Sequence, residues 1–410
     1  MESKELLSSF HDTQKAFAYK SDAQLKKAYW LFSMMRYNWL VKVGTRMTPW
    51  AIRRGLPIKN ILRKTLFEQF VGGEDLEQTN KVVEQLNRYD VQVILDYGVE
   101  GGANNEEAME AACREFIRVI EHAAAHNGIP FISIKVTGLV RFSLLEKLDA
   151  LMNNEEGLLA DRYRKSVASL SNVEKVEWQA LRDRMDRICK AASEKNTGVL
   201  IDAEETWIQD PIDALSLELM ETYNSKSAVV YNTAQMYRHD RLNFVKDCHT
   251  VAEEKKFILA LKIVRGAYME KERLRAEEKG YASPIQPDKK SCDHDFDASV
   301  LYCIDRIERI AIVVASHNEE SNLKTIRLLH ERGLPNNHSH VHLSQLFGMS
   351  DHITFNLAAA GYRVSKYLPF GPIEEVVPYL MRRAQENTSV AGQTSRELEL
   401  LKQERRRRAK

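Results

Sequence analysis

From residue 91 onward, short runs of apolar and β-branched residues alternate with longer segments that carry apolar residues every three or four positions. Eight short runs stand out: VQVILDY (91–97), PFISIKV (130–136), GVLIDAE (198–204), AVVYNTA (228–234), FILALKIV (257–264), IAIVVASH (310–317), HVHLSQL (340–346) and YRVSKYLPF (362–370). They are apolar with little interruption rather than alternating with polar residues, as strands covered on both faces require. The longer segments read as helices that close on glycine: EEAMEAACREFIRVIEHAAAHNG ends at Gly128 and SNLKTIRLLHERG at Gly333. Eight alternations over about 300 residues predict an α/β fold, a TIM-type (β/α)8 barrel over residues 91–390.

Three segments lie outside the minimal repeat. Residues 1–90 read as a mostly helical N-terminal arm, and residues 152–197 as a charged helical insertion on the outer ring. The stretch 271–297, with GYASPIQPDKK in its middle, has the proline and glycine content of a long loop. Residues 391–410 form a charged C-terminal tail whose RRRRAK end is expected to be solvated and disordered.

Charge changes this picture only locally. Fifty-nine Lys and Arg against fifty-eight Asp and Glu leave a net charge of +1, which carries no global signature of a nucleic-acid binder. Five cysteines without CxxC spacing argue against a disulfide framework or a zinc site and suit a reducing compartment. No run of eighteen apolar residues exists, and MESKELLSSF lacks the regions of a signal peptide. Yet from Ala23 to Phe67 there are ten Lys and Arg and no Asp or Glu, with Trp30, Trp39 and Trp50 among them. Three readings are open for this stretch: a peripheral contact with an anionic lipid surface, a helix packed on the barrel, or a mitochondrial presequence, the last weakened by Glu2, Glu5 and Asp12.

In a barrel of this kind chemistry sits at the C-terminal ends of the strands. The polar residues there are Asp96, Lys135, Asp202, Glu204, Gln235, Arg265, Tyr268, His317, Asn318, Gln345 and Tyr367. Cations are prominent, and the helix after the eighth run adds Arg382 and Arg383, about 100° apart and flanked by Tyr379 and Glu386. That face is either a solvated salt-bridge surface or a clamp for a carboxylate or phosphate. The convergence of cations implies a small anionic substrate or cofactor. His338, His340 and His342 lie at the start of their strand, the wrong end for a metal site, and DHDFD (293–297) lacks the glycine and glutamate of a calcium loop. Asp293 or Asp295 is instead expected to cap the following helix. No nucleotide-binding glycine motif of the Rossmann or P-loop type occurs. Lys135 keeps a Schiff-base aldolase in view.

The motifs LDYGVEG, IKVTGL, IDAEET, NTAQMY, LKIVRGAYMEKER, SHNEES, QLFGM and YRVSKYLPFGPIEEVVPYLMRRAQEN, in this order over roughly residues 90–390, resemble the proline dehydrogenase family of FAD-dependent barrel enzymes. KIVRGAY and YLPFGP are similar to the monofunctional, mitochondrial-type branch, with no aldehyde dehydrogenase domain expected. The resemblance implies FAD-dependent oxidation of L-proline to Δ1-pyrroline-5-carboxylate, with electrons passed to a membrane quinone and 4-hydroxyproline as the alternative substrate. It implies Arg382, Arg383 and Lys135 on the substrate carboxylate, and Tyr268, Leu346, Tyr367 and Tyr379 around the ring. Asp202 would hold Tyr367 or its neighbours. Gln235, Lys262, Arg265, His317 and Glu386 would surround the flavin. Lys262 stands where an arginine near flavin N5 is usual in the bifunctional proteins, and Met269 replaces a tryptophan. The implied setting is the matrix side of the mitochondrial inner membrane or the cytoplasmic face of a bacterial one.

Overall fold

The computed structural model describes residues 10–54, 58–98, 105–389 and 393–410. Each of the eight runs forms a strand: β1 (Gln92–Tyr97), β2 (Phe131–Ile134), β3 (Gly198–Ile201), β4 (Val230–Gln235), β5 (Leu259–Val264), β6 (Ile310–Ala315), β7 (Val341–Leu346) and β8 (Val364–Phe370). The strands are parallel and close into a barrel in chain order. The continuous apolar character has its expected cause, since the strand interiors are buried except at Tyr367, which is half-buried in the middle of β8.

By internal contacts the chain divides into two compact units, Met1–Glu100 with His317–Leu323 and Leu343–Lys410, and Gly101–Ser316 with Lys324–His342. The second unit contains β2 to β6. Between β2 and β3 it carries helices Phe142–Asn153, Leu159–Ser169 and Asn172–Lys195. The last begins at a capping box, in which Ser171 and Glu174 each satisfy the other's backbone N–H, and ends at Asn196 in a left-handed conformation. Its Trp178, Leu181, Met185 and Ile188 follow helical spacing and are buried, and Trp178 Nε1 donates to the Tyr163 hydroxyl at 3.0 Å. The stretch expected as a long loop is largely helical, with Met269–Lys279 and Lys289–Ile304 separated by residues 280–288. Prolines and glycine are confined to that connection. Asp288, rather than Asp293 or Asp295, caps the second helix by accepting from Ser291 N at 2.7 Å. The two later aspartates fall inside the helix and serve side-chain partners instead.

The first unit contains β1, β8 and most of β7, with arm helices Asp22–Met35, Asn38–Arg53 and Leu76–Asn87. Leu25, Ala28, Phe32 and Met35 put one apolar stripe of the first of these into a cluster with Val376, Leu380, Leu398 and Leu401. Among the described residues no helix is long and apolar enough to cross a membrane.

The C-terminal tail differs from expectation. Gln393–Arg408 is a helix with Leu398, Leu400 and Leu401 buried. Glu404, fully buried, accepts from Thr13 Oγ1 at 3.0 Å and from Arg407 and Arg408. Arg408 also donates to the carbonyls of Phe17 and Lys20, each at 2.8 Å. The run is tied to the fold at two of its arginines: Arg407 and Arg408 meet the buried Glu404 carboxylate, and Arg408 also meets backbone carbonyls, while Arg406 and Arg407 keep an exposed surface. Leu401→Ala should therefore cost about 2 to 4 kcal/mol of unfolding free energy, as a buried side chain does. Val176→Ala, at a 72 % exposed position, should change it by less than about 0.5 kcal/mol. Denaturant melts compare the two, and equal effects would return this helix to the solvent.

Candidate active site

In the second unit the polar groups at the strand ends gather on one carboxylate. Asp202 follows β3, Lys135 follows β2, and Lys262 lies within β5 opposite Thr233 of β4 and Val313 of β6. Asp202 Oδ1 accepts from Ser133 Oγ at 2.6 Å and from the Lys262 ammonium, while Lys135 Nζ stands 3.8 Å from Oδ2. All three charged side chains are at least 85 % covered, with 13, 7 and 15 % exposure for Asp202, Lys262 and Lys135. Burial pushes the Asp202 carboxyl up, but the fields of Lys262 and Lys135 and the hydrogen bonds from Lys262 and Ser133 outweigh it and hold the group below its ordinary value.

Glu204, two residues on, behaves oppositely. Its carboxylate receives Thr137 Oγ1 at 2.9 Å on each oxygen, but burial dominates and raises it to about 7 against the partial relief from Lys135 and Thr137. Two carboxyl groups on one strand end are thus driven in opposite directions by their neighbours. Gln235 donates through Nε2 to the Glu204 carbonyl at 2.8 Å, which fixes the amide at the end of β4.

Arg265 follows β5 and is oriented on three sides: Nε donates to Asp293 Oδ1 at 2.7 Å, Nη1 to Ser316 Oγ at 2.7 Å, and the guanidinium lies 4.3 Å from the Phe296 ring centroid. The chain turns away at once through Gly266, with φ 129°, where a Cβ would come 2.5 Å from the Tyr237 ring. Only glycine satisfies both conditions. Tyr268 is half-buried at the start of helix Met269–Lys279.

The first unit holds the remaining candidates. Leu346 and Ile94 are the register partners of Tyr367, and Leu346 and Tyr367 are both half-buried. On helix Ile373–Ser389, Tyr379 and Arg383 are each 5 % exposed, and the Arg383 guanidinium carbon sits 4.9 Å from the Tyr379 ring centroid. Arg382 is half-buried. Glu386 has its side chain outside the described residues, as does Trp50. His317, after β6, has Nδ1 2.9 Å from Ser350 Oγ, and Leu346 N–H approaches its Nε2 at 3.5 Å.

Some rim candidates serve the scaffold. Asn318 Oδ1 accepts from Ser321 N at 3.0 Å as a helix cap, and Gln345 is bonded to Thr354 at 2.7 Å and Asn322 at 3.3 Å. Asp96 is buried at 2 % exposure. Sequence reasoning passed over Ser133, Thr137 and Ser350, because a small hydroxyl inside an apolar or turn segment carries no distinguishing pattern. It also passed over Lys366, fully buried and 2.9 Å from Asp351, where a cation inside an apolar strand was a usable signal. Among the described residues no group of three or more His, Cys, Asp or Glu is arranged to hold a metal ion.

Residues 79–396 match the family model for proline dehydrogenase. Among curated proteins the chain is similar to proline dehydrogenase 1, mitochondrial, of Dictyostelium discoideum, with 30 % identity over 97 % of this chain and 74 % of the relative. It is likewise similar to hydroxyproline dehydrogenase of Xenopus laevis, with 30 % identity over 96 % and 88 %, and to a carbapenem antibiotics biosynthesis protein of Pectobacterium carotovorum, with 33 % identity over 83 % of each. Among solved structures, proline utilization A from Bdellovibrio bacteriovorus superposes with a TM-score of 0.76 at 19 % identity, over 98 % of this chain and 44 % of that longer one.

The Glu204 environment makes a prediction about pH. Because its folded value of about 7 lies above the ordinary 4.5, the folded chain keeps a proton that the unfolded chain has already released between those values. Stability therefore falls as pH rises through that window, and the loss is complete above about pH 7, on the order of 3 kcal/mol. Glu204→Gln, which retains an acceptor for Thr137 and cannot ionise, should remove most of the slope between about pH 5 and about pH 8. Parallel denaturation profiles for the two proteins would assign the titration elsewhere.

Proposed function

The chain belongs to the proline dehydrogenase family, and from that premise we propose that it oxidises L-proline to Δ1-pyrroline-5-carboxylate with a bound FAD, passing the electrons to a quinone. The observation that carries the reading is the cluster of Lys135 and Lys262 on Asp202. Two ammonium groups to one carboxylate, with Glu204 largely protonated below about pH 7, make a buried centre of net positive charge suited to an anionic ligand.

The donor set fits a flavin dinucleotide. Arg265, pre-oriented by Asp293, Ser316 and Phe296, supplies a fixed cation for a phosphate or a ring carbonyl, and Lys262 and Gln235 supply ammonium and amide donors beside it in sequence register. His317 and Glu386 complete the assignment. When bound, FAD supplies the two-electron acceptor that no side chain offers. The chain's own residues bind and orient. Arg382, Arg383 and Lys135 take the substrate carboxylate, and Tyr268, Leu346, Tyr367 and Tyr379 enclose the pyrrolidine ring. Loss of hydride from C5 requires the neutral amine, whose lone pair stabilises the forming iminium. Nearby cations disfavour the ammonium form of the substrate and so help release its proton. Asp202 holds Lys262 and Lys135 in place. A Schiff-base role for Lys135 is disfavoured by the same pair, since a carboxylate 3.8 Å away stabilises the ammonium that cannot attack a carbonyl.

A second reading, oxidation of 4-hydroxyproline, is supported by the hydroxyproline dehydrogenases among the relatives. Tyr367 favours proline: it lies at the middle of β8 rather than at its end, and a half-buried phenol there crowds the added hydroxyl. The arm points to a peripheral membrane contact: Trp30, Tyr37, Trp39 and Met47 are 53, 57, 64 and 54 % exposed on a stretch without acidic residues. A mitochondrial setting accords with the relatives so named.

Purified protein should show flavin absorbance and reduce a quinone analogue in a proline-dependent manner. Arg383→Met should raise KM for proline at similar flavin content, with about 2 to 5 kcal/mol lost from kcat/KM. An unchanged KM would remove Arg383 from the carboxylate. In the same assay proline should exceed 4-hydroxyproline by roughly a hundredfold, a margin that Tyr367→Ser narrows. Preference for hydroxyproline would overturn the substrate assignment. Separately, binding to vesicles containing anionic lipid should weaken as salt rises and on Trp39→Ala, whereas salt-insensitive binding would exclude the electrostatic contact.

A further inference from the structure

Ser350 lies in the turn between β7 and the helix Asp351–Ala359, with φ 52° and ψ 42°. That region disfavours side chains with a Cβ, so a serine there needs a reason that glycine would not serve. A serine preceding a helix normally turns its hydroxyl onto the first-turn N–H groups, yet Ser350 makes no such cap. Its Oγ is instead 2.9 Å from His317 Nδ1.

The turn is pinned from several directions within the first unit. Glu397, on the terminal helix and 5 % exposed, accepts from Ser350 N at 3.2 Å. The same carboxylate is 3.9 Å from His352 Nδ1, whose Nε2 is 3.1 Å from Glu319, and Arg396 donates to Glu319 at 2.8 Å. Asp351 is held by Lys366 at 2.9 Å and by the Tyr19 hydroxyl at 2.7 Å. Gln69 donates to the Gly348 carbonyl at 2.7 Å, and a Cβ at Gly348 would lie 2.0 Å from the Gln69 carbonyl oxygen. The turn therefore has little freedom, and the direction of Ser350 Oγ is set by contacts from the arm and the terminal helix.

The imidazole contacts select a tautomer. The 2.9 Å contact to Ser350 Oγ holds the proton of the neutral ring on Nδ1, which donates it to the hydroxyl, and the longer 3.5 Å approach of Leu346 N–H matches an accepting Nε2 without being strong enough to hold that form alone. We propose that Glu397 and Ser350 are positioning residues for His317: the buried carboxylate holds the left-handed backbone of Ser350, whose hydroxyl fixes the imidazole in its Nδ1–H form with Nε2 as acceptor. The functional consequence rests on the reading of His317 as a flavin-binding residue. No contact of Glu397 with substrate or cofactor is required.

The test uses the full chain and three readouts: imidazole 15N chemical shifts with histidine labelling, flavin dissociation constant, and thermal midpoint. Ser350→Gly suits the backbone conformation, so its midpoint should be held or raised while the Nδ1–H signature of His317 is lost and flavin binding weakens by about tenfold. Glu397→Gln keeps an acceptor and should behave as the parent, whereas Glu397→Ala should reproduce the loss of the tautomer signature. In a His317→Ala background Ser350→Gly should have no further effect on flavin binding. An unchanged tautomer in Ser350→Gly, or a full additional loss in the His317→Ala background, overturns the proposal. If His317→Ala alone leaves flavin binding unchanged, the cofactor role of His317 falls, and the 15N shifts still decide the positioning.

Discussion

The pairing of Asp202 with two lysines is the constraint on which the polar strand ends of the second unit depend. Lys262 is part of a strand and Lys135 directly follows one, so neither can swing out to water without disturbing the barrel. Their mutual repulsion is tolerated because a carboxylate lies between them and a serine hydroxyl from β2 supports it. Leaving buried charges unpaired would cost about 3 to 5 kcal/mol. The arrangement explains why one short segment, IDAEE, contains a carboxyl held ionised and another, two residues later, held protonated up to about pH 7.

A positive centre built this way is preorganised. The lysines do not have to be gathered when a ligand arrives, because Asp202 has already gathered them, and Arg265 is likewise oriented before binding by Asp293, Ser316 and Phe296. The first unit uses another device for the same end. There, the turn after β7 is clamped by groups far away in sequence, including Tyr19 and Glu397, and Ser350 transmits that clamp to His317. The terminal helix thus acts as part of the scaffold. Its last arginine, Arg408, in a run that by composition resembles a solvated tail, donates to the carbonyls of Phe17 and Lys20.

How far these features can be read in advance depends on the range of the forces involved. Continuous burial writes itself into consecutive residues, and all eight strands and the barrel were legible as apolar runs with helical segments between them. Arg382 and Arg383, Lys135 and Arg265 could be marked as candidates because position relative to a strand end is also local. The division of labour among the acids could not. Asp202 and Glu204 have the same chemistry and adjacent positions on the strand end, and only the neighbours contributed by β2 and β5 separate them. The helix cap at Asp288 was misassigned to Asp293 or Asp295 for a related reason: several aspartates lay close together, and the start of the helix was decided by packing of the whole segment.

By itself, then, the sequence determined the element order, the barrel class and the residue types available at each strand end, since burial periodicity and turn chemistry act over a few residues. Tertiary structure decided which of those residues are brought together at the strand ends and which are tied into the scaffold. Gln345 and Asn318 went to neighbouring helices, the RRRR run became a helix end anchored through Arg407 and Arg408, and Ser350 was diverted from its helix to an imidazole. The physical reason is that hydrogen bonds, ion pairs and the pKa shifts they produce act between atoms a few ångströms apart that are often hundreds of residues apart in the chain, and only folding makes that distance short.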